Sequence, residues 1–113
     1  MLKNRYLYVS LIIALIILFF SLAPPGDKEP KLFVSDKLLH FIAYCAMVLP
    51  VLIQRHYPHF LVFITASAYG GILEFIQPFW EREADIWDFW TNIAGIIFGI
   101  LIAKSITYIT PQI

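Results

Sequence analysis

Six ionisable side chains at helix-compatible spacings could act together: Asp36, His40, Glu74, Arg82, Asp85 and Asp88. Histidine is the residue suited to taking and returning a proton near neutral pH, so His40 is the candidate general base. Asp36, one turn earlier, would orient it. Glu74 or Asp88, partly desolvated, would serve as the acid partner. Arg82 presents a planar fork of donors that matches a phosphate or carboxylate. Gln77, Asn92, Tyr44 and Asp85 would add polar contacts to a bound molecule, and Trp80, with Trp87 and Trp90, would flank its sugar or lipid portion. No serine or cysteine is placed as a nucleophile. Asp36, His40, Glu74, Asp85 and Asp88 also form a mixed oxygen and imidazole donor set. That set lacks an HExxH-type signature, and Asp and His four residues apart arise often by chance, so neither a metal nor another cofactor is expected.

These residues must be positioned by helices in lipid. Hydrophobic residues make up 60% of the 113-residue chain and charged residues 14%, against about 25% charged in an ordinary soluble domain. A single domain this small could not hide that much apolar surface from water. Crossing a bilayer core takes about 20 helical residues. Four segments fit, at approximately 6–23, 37–54, 59–77 and 86–109, which predicts an all-α integral membrane bundle of four transmembrane helices. The first is read as a retained span rather than a signal peptide, because its apolar run is long and no A-x-A site follows. Cys45 lies in an apolar run and is expected to be a small buried side chain.

Flanking charge sets the expected orientation. Lys3, Arg5, Arg55 and Lys104 fall on one side, and Lys28, Lys31, Lys37 and Arg82 on the other. The Lys3 and Arg5 pair beside the first helix breaks the tie and places both termini in the cytoplasm. All the acidic residues then belong to the outer side. Of these, Glu81 and Glu83 are expected to face water, and Lys28, Lys31, Lys37, Asp27 and Glu29 to form a solvated loop.

Periodicity says which way the polar groups face. Asp85, Asp88, Asn92, Gly95 and Gly99 fall within an arc of about 80° on one helix, as do Ser67, Gly70, Glu74 and Gln77 on another. Asp36, His40 and Tyr44 recur every fourth residue. Charged groups avoid lipid, and small residues let helices approach, so the three stripes are expected to face one another. The first helix, apolar throughout, is expected to pack at the periphery. Gly95 and Gly99 are read as packing residues, and the tryptophans as interface anchors as well as ligand contacts.

The stretch "SDKLLHFIAY", with Asp36-Lys37, His40 and Tyr44, is followed by a second block comprising Glu74, Gln77, Arg82, Asp88, Asn92, Gly95 and Gly99. Together, over residues 35–99, they resemble the VanZ-like family of small bacterial membrane proteins. Many members carry Pro-Gly directly before the arginine, where this chain has Trp80-Glu81. The resemblance implies a multi-pass protein of the bacterial cytoplasmic membrane. Through the family's namesake it also implies a link to low-level resistance to teicoplanin, a lipid-tailed glycopeptide.

The resulting expectation is a site that binds or processes an anionic cell-envelope amphiphile, with membrane lipids, a lipid-linked envelope precursor or a lipoglycopeptide as partners. Formal net charge is zero, so no basic excess points to nucleic acid. The alternative is a structural or partner-binding protein whose polar cluster only locks the bundle, since interhelical hydrogen bonds contribute roughly 0.6 kcal/mol each. A channel fits less well, because the charges cluster at one end.

Overall fold

A computed structural model describes residues 4–22, 36–54, 57–76 and 86–109. All of these residues that adopt regular structure are helical: α1 is Arg5–Leu22, α2 Asp36–Ile53, α3 His59–Ile76 and α4 Ile86–Ile109. Each boundary lies within one residue of its expected position. The start and stop signals are local. Pro58 precedes α3, where a missing N–H costs nothing, and its carbonyl accepts from Val62 N–H at 3.2 Å. Asp88 lies in the first turn of α4, where a carboxylate complements the exposed amides.

Three of the four helices, α1, α3 and α4, are long and apolar enough to cross a membrane. The expectation of four spans is least evident at α2, whose apolar part is only Lys37–Ile53. The reason is where α2 sits. It packs against α1 on one side and most extensively against α4 on another, and it supplies Tyr44, Cys45, Met47, Val48, Val51 and Leu52 to the core. Its protein-facing side can carry a polar residue such as His40 without presenting it to lipid, while Leu38, Leu39 and Ile42 are exposed. The outside of the bundle shows the reverse of a soluble protein: Phe19, Phe60, Phe75 and Tyr108 are each at least two-thirds exposed. Apolar exposure on that scale marks a surface meant for another apolar phase.

The printed contacts give the helix directions. Leu7 N–H donates to Gln54 Oε1 at 3.1 Å, and Val51 N–H donates to Ser10 Oγ at 3.1 Å, so α1 and α2 run antiparallel. Lys37 meets Asp88, His40 meets Asn92 and Phe41 meets Gly95, so α2 and α4 run parallel. The starts of α2 and α4 therefore share one end of the bundle, and Arg5 and Ile109 share the other.

The first helix packs at the periphery as expected, with only Ser10 and Ile17 buried, but its contacts with the other helices are not purely apolar. Ser10 is buried, and its hydroxyl receives the Val51 amide immediately after Pro50. A proline inside a helix removes one N–H and crowds the preceding turn; membrane helices tolerate it when neighbouring groups re-satisfy the backbone. Gln54 similarly serves Leu7, whose amide lies in the first turn of α1, where a helix leaves N–H groups short of partners. Tyr69 of α3 donates its hydroxyl proton to the carbonyl of Ala14, which ties α3 to α1.

The closest helix approach is between α2 and α4. A Cβ on Gly95 would lie 2.3 Å from the Phe41 carbonyl oxygen, and one on Gly99 would lie 2.6 Å from Val48 Cγ2 and 3.0 Å from the Cys45 carbonyl oxygen. The obstacle at Gly95 is backbone, which cannot rotate away. Gly95→Ala should therefore cost about 1–3 kcal/mol through overpacking, read as a lower thermal unfolding midpoint in detergent. Gly71→Ala is the control. Its Cβ meets only the Phe89 ring, at 3.2 Å, and the ring can move. Equal midpoints for the two variants would mean that the α2–α4 contact is not tight.

Candidate functional site

The first turns of α2 and α4 bring four polar side chains into two contacts. Lys37 Nζ lies 3.0 Å from Asp88 Oδ1. One turn further into the bundle, His40 Nδ1 lies 3.0 Å from Asn92 Oδ1. Both contacts follow from the parallel register, because Lys37 and His40 are three residues apart on α2 and face Asp88 and Asn92, four apart on α4. Lys37 thus belongs to the site and not to a solvated loop. The spacing could have shown it: Lys37, His40 and Tyr44 fall at i, i+3 and i+7, one helical face.

Burial increases inward. The Lys37 side chain is half exposed and that of Asp88 largely covered. His40 is intermediate. Asn92 and Tyr44 are each 2% exposed. From α3, Gly70 faces both: a Cβ there would lie 3.2 Å from Tyr44 Cε2 and 3.3 Å from Asn92 Nδ2. Glu74, one turn beyond Gly70, is buried at 9% exposure and lies within electrostatic range of Tyr44. Tyr44 also stacks obliquely on Tyr69, with ring centroids 6.5 Å apart. Among the described residues, His40 and Tyr44 of α2, Gly70 of α3 and Asn92 of α4 do face one another, and Tyr44 is enclosed by protein.

The other expected site residues divide clearly. Trp87 and Trp90 are exposed on the first turns of α4, as interface anchors should be. Asp36 opens α2, but its side chain lies outside the described residues, as do Gln77, Trp80, Arg82 and Asp85. The partner that the structure assigns to the His40 ring is Asn92. Among the described residues no three His, Cys, Asp or Glu side chains converge to hold a metal ion. Cys45 is buried.

The arrangement offers a half-exposed cation, an imidazole and two helix N-termini at one end. The amides there carry partial positive charge and favour anions. The ion pair itself contributes little to folding, because an exposed lysine pays side-chain entropy and is screened. Lys37→Met and Asp88→Asn should each cost less than about 1 kcal/mol. Asn92→Ala should cost about 1–3 kcal/mol by leaving a partly buried imidazole group without its partner. Denaturant unfolding in micelles ranks them, and the opposite order would mean that the ion pair holds this end together.

Neither a curated protein nor a solved structure matches the chain. The family described as VanZ/LLP1 matches residues 6–108, a range that takes in all four helices, the Lys37–Asp88 and His40–Asn92 contacts and the Gly95 approach beneath them. The chain belongs to the VanZ/LLP1 family.

Proposed function

We propose that this protein binds the anionic headgroup of a cell-envelope amphiphile at the shared start of α2 and α4. In this reading it is a multi-pass protein of the bacterial cytoplasmic membrane with both termini in the cytoplasm, and the site faces outward. The observation that carries the proposal is the parallel α2–α4 pair, which sets two helix N-termini beside Lys37 and His40. Each N-terminus acts as roughly half a positive charge. Lys37 is half exposed, so an incoming phosphate or carboxylate can exchange with Asp88 as its partner. Arg82, in the connection that leads into α4, supplies a second cation in this reading. Trp87 and Trp90 suit headgroup depth and would flank the ligand's apolar part. A lipid-linked envelope precursor and a teicoplanin-type lipoglycopeptide both have this chemistry. If the ligand is also processed, His40 is the base and Glu74 or Asp88 the acid partner.

The burial of Asn92 and Tyr44 favours a second reading, in which the polar cluster only locks the bundle. Titration of the protein in nanodiscs separates the two, with the fluorescence of Trp87 and Trp90 as readout. The probes are phosphatidylglycerol, a lipid-linked peptidoglycan precursor and phosphatidylcholine. The anionic probes should bind more tightly, and Lys37→Gln and Arg82→Gln should each weaken them roughly tenfold, or about 1.4 kcal/mol. Equal affinity for anionic and zwitterionic lipid, or variants that lose only thermal stability, would leave the locking role as the function.

A further inference from the structure

We propose that Asn92 is the positioning residue of His40: its amide oxygen accepts a hydrogen bond from Nδ1–H, so that Nε2 carries the lone pair and is the site's proton acceptor. This deepens the reading above, on which its functional meaning rests, but it stands on separate geometry.

The amide oxygen of asparagine can only accept a hydrogen bond. With Oδ1 at 3.0 Å from His40 Nδ1, the ring nitrogen must be the donor, which assigns the neutral ring to its Nδ1–H form. On its other side Nδ2 faces Gly70, the residue type that leaves it room, since a Cβ there would lie 3.3 Å away. At 2% exposure, Asn92 is shielded from water. Asn92 also sits one turn before Gly95, whose approach to the Phe41 carbonyl sets the register of α4 against α2. Phe41 directly follows His40, so the donor and the acceptor are fixed by the same backbone contact.

An amide orients the ring without placing a negative charge beside it, as an aspartate would. Among the described side chains, the charged groups within one turn of this contact are Lys37 on α2, Asp88 on α4 and Glu74 on α3; that of Asp36, one turn before His40, lies outside them. Asp88 is already within 3.0 Å of Lys37. Reversing the amide would put an N–H donor against Nδ1 and require the opposite tautomer, so the tautomer itself is the test.

The experiment is nitrogen-15 NMR of the full chain with labelled histidine in lipid bilayers, at a pH well above the ring's titration midpoint. His40→Gln distinguishes the His40 signals from those of His56 and His59. A protonated Nδ1 and a bare Nε2 are expected. In Asn92→Leu the ring should shift toward Nε2–H. The near-isosteric Asn92→Asp, whose carboxylate can likewise only accept, should keep Nδ1–H. An Nε2–H ring in the wild type would overturn the proposal. So would a tautomer that Asn92→Leu leaves unchanged, or that Asn92→Asp alters, while circular dichroism reports the native helix content. An Nδ1–H ring in a protein that binds no anionic amphiphile would leave the role of Asn92 standing and remove the proposed function.

Discussion

The carbonyl of Phe41 lies where Gly95 has no side chain, and the rest of the bundle is arranged around that contact. Two helices whose backbones approach this closely gain dispersion contacts along their length, the main source of cohesion available in lipid. The approach also fixes their relative height. Gly99 repeats it one turn later against Cys45 and Val48, so α2 and α4 can neither slide nor rotate without collision. One turn in the other direction, that fixed register delivers His40 to Asn92 and Lys37 to Asp88. The polar contacts are a consequence of the glycine packing and contribute less to it than they take from it.

The remaining helices are held by a different device. Hydrocarbon offers no hydrogen bonds, so every irregularity in a helix must be answered by a neighbour. Pro50 interrupts the α2 ladder, and Ser10 of α1 accepts the next amide. Gln54 answers an amide at the start of α1. Tyr69 reaches the Ala14 carbonyl. These bonds join α1 to α2 and α3 at the depths where apolar side chains alone would give no preference for one register over another.

Between these two systems the bundle is polarised. Its exterior is apolar from Phe19 to Tyr108, and among the described residues Lys37, His40, Glu74 and Asp88 collect toward the end where α2 and α4 begin, with Arg5 and Lys104 toward the other. The first-turn amides of α2 and α4 carry partial positive charge at this end, offset in part by the carboxyl ends of α1 and α3, which finish there. The acidic side chains temper that field. The half-exposed Lys37–Asp88 pair is its most accessible part, and the enclosed His40–Asn92 contact its most ordered.

The four helices were legible in the residues themselves, because apolar run length and the prolines at 24, 58, 78 and 111 act locally. The inward stripes were legible too: spacings of three and four residues place Asp88, Asn92, Gly95 and Gly99 on one face whatever surrounds the helix. The pairing between stripes was not. Lys37 reads as a loop residue beside other charges, and Ser10 is one hydroxyl in an apolar run with no period to reveal it. Sequence determined what each helix displays, since that depends on neighbours within a turn or two. Tertiary structure decided which atoms meet, because interhelical register is set by how deeply one backbone can sink against another, and that depth belongs to the pair of helices and to neither alone.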